Sequence, residues 1–174
     1  MNGTVLVRDN FTISIIVGDA GKMVSGTNHA SASSGQLSAL TTMYDTIVAH
    51  GGGGGGNANR KGKDGASGGG TGYECGNAEA CSSGRAIYGD QGHDAGDAGN
   101  KVWDYITAGT RCAGGGGGAG GPGIGRMDTD QQECGCMGGD GMPSNITGTI
   151  VYYSPGGGAR YTWGGEKNGP NGHG

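Results

Sequence analysis

The chain has 174 residues, of which 46 are glycine, one is Phe and two are Trp, so one large hydrophobic core is excluded by composition. Its net charge of −4, from 15 acidic against 11 basic residues, gives no electrostatic footprint for nucleic acid. No stretch approaches the roughly 18 consecutive apolar residues that span a membrane.

Residues 1–18 show a period of two. Val5 and Val7 alternate, then Phe11, Ile13, Ile15 and Val17, on either side of the turn-forming pair Asp9-Asn10. The pattern predicts a β-hairpin with one buried face. A Gly-, Ser- and Asn-rich loop follows, and "LTTMYDTIVAH" predicts a strand over 41–49 that runs into six glycines, Gly51, Gly52, Gly53, Gly54, Gly55 and Gly56. "KVWDYITAG" at 101–109 is a weaker strand candidate leading into Gly114, Gly115, Gly116, Gly117 and Gly118. "NITGTIVYYS" at 145–154 predicts a strong strand, again followed by glycines. Three times a strand delivers the chain into glycine, with no domain of ordinary composition on either side for a linker to join.

Between the pure runs glycine recurs about every third residue: Gly62, Gly65 and Gly68, then Gly89, Gly92, Gly96 and Gly99, then Gly169 and Gly172. Period three belongs to the extended left-handed helix with three residues per turn and no internal hydrogen bonds. Glycine in that conformation keeps its N–H and can bond sideways, so such rods pair wherever no Cβ intervenes. A rod enclosed on all sides must be all glycine; a peripheral rod needs glycine only on its inner face. Gly51 to Gly56 is therefore expected as an interior rod intolerant of Val at Gly53, and Ala66 as a solvent-facing position on a peripheral rod that accepts Val. The expected fold is mainly β: a small antiparallel β-framework over 1–50, and a polyglycine-II bundle over 51–174 with a returning strand near 145–154, together one domain with little or no α-helix. The chain opens without the basic-then-apolar layout of a secretory signal and stops within a glycine pattern, which leads us to expect a piece of a longer chain.

The pieces "FTISIIVGDAG", "TIVAHGGGGGG", "CAGGGGGAGGPG" and "NITGTIVYYSPGGG", in that order, resemble the glycine-rich domains of bacteriophage tail-fibre tips and related viral and bacterial surface proteins. That resemblance implies short strands beside a sandwich of polyglycine-II rods, with the loops between rods gripping receptors on a host surface. A more distant likeness is to the glycine-rich extracellular domain of some receptor tyrosine kinases. The chain departs from the tail-fibre pattern in two insertions, 73–112 and 127–137, which carry every cysteine.

Those cysteines, Cys75, Cys81, Cys112, Cys134 and Cys136, lie outside the expected strands. In a loop-rich chain with little core they read as disulfide staples of an extracellular protein: Cys75 with Cys81, and Cys112 with Cys134 or Cys136. Unpaired thiols are the next reading, and zinc spacing is absent. Asp90, Asp94, Asp97 and Asn100, with His93 among them, offer ligands that could hold calcium but lack both calcium-repeat spacings; the plainer reading is solvent-facing positions of a rod. "GGGNANRKGKD" lacks the Gly-Lys-Ser/Thr ending of a phosphate loop, so no cofactor is expected. His29, His50, His93 and His173 lie in unrelated contexts and no Ser or Cys sits in a nucleophile motif, which makes a non-enzymatic reading the expected one. Asn2, Asn10 and Asn145 head Asn-x-Ser/Thr sequons. Tyr73, Tyr88, Tyr105, Tyr152, Tyr153, Tyr161 and Trp163 either stack on sugar rings or cover the bundle ends.

The expected function is a structural or adhesive module of an extracellular or virion-surface fibre, self-associating or gripping a cell-surface glycan or protein receptor. Two alternatives are an ice-binding protein, against which the charged positions Lys61, Lys63, Asp64, Asp90, His93 and Asp97 argue, and a glycine-rich ligand-binding domain of a cell-surface protein.

Overall fold

The computed structural model describes residues 12–23, 30–57, 60–72, 82–97, 113–125 and 137–159. Among them there is no helix. Five short strands, β1 (Ser14–Ile16), β2 (Ser38–Thr41), β3 (Thr46–Ala49), β4 (Met142–Ser144) and β5 (Val151–Tyr153), form two antiparallel sheets, β1-β2-β3 and β4-β5. The fold is mainly β, with small antiparallel sheets.

The strand boundaries differ from the expected ones. The span 41–49 is not one strand but the end of β2, a turn and β3. Thr42 makes the turn: its Oγ1 accepts from the amides of Tyr44 and Asp45, and its own N–H donates to the Asp45 carbonyl. β2, "SALT", carries little β-forming signal and is ordered by pairing on both sides, with β1 and β3. Over 145–154 only Val151–Tyr153 is strand. Residues 145–148 turn instead, with the Gly148 amide on the Asn145 carbonyl and Gly148 at φ 89°, a conformation that favours glycine. β1 does not have one buried face: Ile13, Ile15, Ile16 and Val17 are all exposed. Residues 1–11 and the strand candidate at 101–109 lie outside the described residues.

The strands continue into rods in the same register. β1 pairs with β2 so that partner numbers add to 55, and the bonds Ser33 N–H to Lys22 and Gln36 N–H to Asp19 keep that sum beyond the sheet. β2 and β3 pair at a sum of 87, as do Ala32 with Gly55 and Gly35 with Gly52. β4 and β5 pair at 295, as does Gly156 with Gly139. Where side chains stand on the backbone the pair is a β-ladder, and where glycine takes over it becomes a pair of rods bonded at every third residue.

We number the rods in chain order: R1 (30–36), R2 (51–56), R3 (60–66), R4 (67–72), R5 (83–87), R6 (93–97), R7 (114–120), R8 (121–125), R9 (137–140) and R10 (154–158). R2 shows the threefold bonding directly. The carbonyls of Gly51 and Gly54 accept from R3 (Ala66, Lys63), those of Gly52 and Gly55 accept from R1 (Gly35, Ala32), and the amides of Gly53 and Gly56 donate to R4 (Ser67, Gly70). Each residue of the three-residue turn thus serves a different neighbour, as an extended threefold helix requires. R4 is bonded to R2, R3, R5, R6 and R7, and R7 to R4, R6, R8, R9 and R10.

The interior contains almost no side chains. The buried apolar residues among those described are Ala66, Ala95 and Ala113, and the buried polar one is Thr71, whose Oγ1 accepts from the Gly114 amide at 2.8 Å. Backbone meets backbone instead: a Cβ on Gly53 would overlap the Lys63 carbonyl, and one on Gly117 the His93 carbonyl. R2 is not enclosed on all sides, however. Gly52 and Gly55 are exposed, and a Cβ on Gly55 would meet nothing within 4 Å. Ala66 is the converse correction: it is 7% exposed, because R3 turns directly into R4 at 66–67 and folds this methyl inward.

Candidate interaction surface

The rod directions decide where the side chains gather. R2 and R4 run parallel (Gly53 to Ser67, Gly56 to Gly70), R7 runs antiparallel to R4 (Gly117 to Gly68, Gly114 to Thr71), and R10 antiparallel to R7 (Gly116 to Gly157, Ala119 to Ser154). R2 and R10 therefore point the same way. Because β3 feeds R2 and β5 feeds R10, both sheets stand at the same end of the bundle. R3 is antiparallel to R2, and R5 lies parallel to R3 at the Gly65–Ala86 bridge, so R5 delivers Ile87 and Tyr88 to that end too.

This strand-bearing end displays most of the exposed large apolar side chains; Met23, 88% exposed and following Lys22 at the level of Ser33, lies toward the other end. The β4-β5 hairpin exposes Met142, Tyr152, Tyr153 and, in its connection, Ile146 and Ile150; Ile146 is 86% exposed. Met43 and Tyr44 stand exposed at the β2–β3 turn. An isolated two-stranded hairpin is marginal in water, and here it is anchored by its continuation into R9 and R10. At the same end, the His50 and Tyr88 rings stack with centroids 3.7 Å apart and planes 4° from parallel. Gln91 fixes the approach: its Oε1 accepts from the His50 amide and its Nε2 donates to the Val48 carbonyl. Nothing in the spacing of Gln91 marks it as the residue that ties the segment between R5 and R6 to the end of β3.

Peripheral rods obtain from side chains the acceptors that a missing neighbour would have supplied. Along R5 the amides of Ser83, Arg85 and Ala86 donate to Oδ1 of Asp97, Asp64 and Asp94 at 2.8, 2.8 and 2.6 Å. Ser34 Oγ does the same for Gly54, and Ser38 Oγ for Gly18. Asp94 and Asp97, two of the five residues weighed as calcium ligands, thus serve as acceptors for backbone amides, and among the described residues no group of three or more His, Cys, Asp or Glu is placed to hold a metal.

Of the other candidate residues, Asn145 is exposed at the head of the hairpin turn, and Tyr88, Tyr152 and Tyr153 lie on the strand-bearing end. All five cysteines, Asn2, Asn10, Tyr73, Tyr105, Tyr161 and Trp163 lie outside the described residues. No helix of the described residues is long and apolar enough to cross a membrane. Comparison with protein-family models, with curated proteins and with solved structures finds no match.

Proposed function

We propose that the protein is a non-enzymatic structural and adhesive module of a fibre outside the cell or on a virion surface, and that it makes its contacts through the strand-bearing end. The observation that carries this reading is the division of labour along the bundle axis. A core of backbone packed on backbone supplies the body, while most of the exposed large apolar and aromatic side chains lie toward one end. Exposed apolar residues gathered toward one end favour contact with another macromolecule, and Tyr supplies large, rigid contact area that suits both a protein partner and a sugar ring.

The test compares wild type with an Ile146→Ser/Tyr152→Ser/Tyr153→Ser variant by sedimentation velocity, negative-stain electron microscopy and binding to a glycan array. Concentration-dependent fibres or oligomers that the variant fails to form identify a fibre-body subunit. Saturable binding to cell-surface sugars that the variant loses identifies a receptor-binding tip. A wild-type protein that stays monomeric at millimolar concentration and binds no glycan overturns the proposal.

A further inference from the structure

We infer that the described rods leave one rod position vacant, a groove bordered by R2, R4, R7 and R10 that accepts one extended glycine-rich segment of another polypeptide in the polyglycine-II conformation. The inference rests on the rod bonding and not on the fibre reading.

A threefold rod directs its N–H and C=O groups outward in six alternating directions, about 60° apart. In R4 five are accounted for. The Ser67 and Gly70 carbonyls serve R2, the Gly69 and Gly72 amides serve R3, the Gly69 carbonyl serves R5, and the Gly68 amide and carbonyl serve R6 and R7. The sixth direction, between R7 and R2, is that of the Ser67 and Gly70 amides. In R7 the amides of Gly115 and Gly118 serve R8, and their carbonyls serve R6. The amides of Gly116 and Ala119 serve R10, the Gly116 carbonyl serves R9, and the Gly117 amide serves R4. The direction left over, between R4 and R10, is that of the Gly114 and Gly117 carbonyls.

Both unused directions therefore point into one place. R2 adds the carbonyls of Gly53 and Gly56 from one side, and R10 the amide of Gly157 from the other. Among the described residues none of these groups has a hydrogen-bond partner. Donors and acceptors alternate around the groove and repeat at every third residue, which is the complement of a further rod and of no globular surface.

The steric record agrees. Gly157 is exposed and a Cβ there would meet nothing within 4 Å, while a Cβ on Gly116 would find only ordinary contacts, the nearest Gly157 N at 3.5 Å. Everywhere R4 or R7 faces an occupied position an added Cβ overlaps backbone, as at Gly68 and Gly115. The occupant must approach as closely as the existing rods do, so it needs glycine at least at every third residue and a free N–H on each. A second copy docking through one of its own bundled rods does not fit, since that rod already has neighbours on several sides; a single segment does.

The probe is a hexaglycine peptide flanked by two lysines at each end, about 19 Å of rod, titrated into the full chain and followed by amide chemical shifts. Saturable binding is expected, with shifts concentrated at Ser67, Gly70 and Gly157. Hexa-alanine and hexa-sarcosine peptides with the same flanks, the first too wide and the second without N–H donors, are expected not to bind. Gly116→Val and, independently, Gly157→Val place a side chain in the groove at positions with room for it, and each is expected to weaken binding at least tenfold while the remaining amide spectrum is unchanged. Absence of binding at millimolar peptide, equal binding of the alanine or sarcosine peptide, or undiminished binding to both folded variants overturns the inference.

Discussion

One methyl group added at Gly53 and one at Gly55 separate packed rod from open rod within a single run of six identical residues. At Gly53 the new Cβ overlaps the Lys63 carbonyl oxygen and lies 2.7 Å from its carbon and 2.9 Å from the Gly69 amide nitrogen, all of it backbone that no rotamer change can move. Relief requires R3 to withdraw from R2 and R4. That puts at risk the bonds Lys63 to Gly54, Ala66 to Gly51 and Gly69 to Lys63, each 2.9 Å. At about 1 kcal/mol net per bond, Gly53→Ala is expected to cost about 3 kcal/mol, a fall in Tm of about 6–12 °C for a chain of this size. At Gly55 the Cβ meets nothing and φ is not in the left-handed region, so the substitution acts only by narrowing the unfolded ensemble. Gly55→Ala is expected to stabilise by about 0.4–1 kcal/mol, a rise of about 1–4 °C. Thermal and urea unfolding monitored by circular dichroism read both. Equal effects at the two positions, or a neutral Gly53→Ala, would refute the backbone-packed core.

Three further substitutions test how the bundle satisfies its amides. Thr71→Val keeps shape but strips the buried acceptor of the Gly114 N–H, with an expected loss of about 1–3 kcal/mol in urea unfolding; Thr71→Ser retains the acceptor and should recover most of it. Ala66→Val inserts two methyl groups where the residue is 7% exposed, and an overpacking cost of about 1–3 kcal/mol is expected in the same assay. Asp94→Ala removes the acceptor of the Ala86 amide and is expected to cost about 1 kcal/mol and speed exchange of that amide, whereas Asp94→Asn, which keeps a carbonyl oxygen there, should leave exchange near wild type.

The glycine pattern carries a good part of the fold because it is a steric requirement rather than a propensity. Gly62, Gly65 and Gly68 are all buried, and at each a Cβ would strike a neighbouring backbone. Lys61, Lys63 and Asp64 beside them are exposed. The same rule fails at Gly89, which sits at φ 64° in a turn and not in a rod, since a lone glycine serves either purpose. The β2–β3 turn was not legible because Thr42 and Asp45 close it with their own hydrogen bonds, leaving no Gly or Pro as a marker. Ala66 misled for a related reason: spacing gives a rod's inner face only while the rod stays straight, and R3 bends into R4 at that residue. The strand-bearing end was legible residue by residue, as tyrosines and isoleucines, but not as a surface. Its assembly depends on R2 and R10 being parallel, which follows from the bonding of R4 and R7 between them and from no local feature of the chain.

The carboxylates along R5 connect composition to architecture at the periphery. In a protein with a side-chain core, an unpaired surface amide is satisfied by water and the fold is indifferent to it. In a bundle held by lateral hydrogen bonds, every outer rod lacks a neighbour along its length, and the free amides recur at each turn. Asp64, Asp94 and Asp97 come from R3 and R6, the rods on either side of R5, and reach around it to its Arg85, Ala86 and Ser83 amides. They close that flank against a further rod by occupying its donors. Among the described residues no such carboxylate reaches the groove shared by R2, R4, R7 and R10, and glycine stands there at Gly116 and Gly157, although an added Cβ would fit at both. Among the described rods one flank is capped and one is left open, on a bundle built from the same repeat, and that contrast is why the open flank is the one proposed to receive another chain.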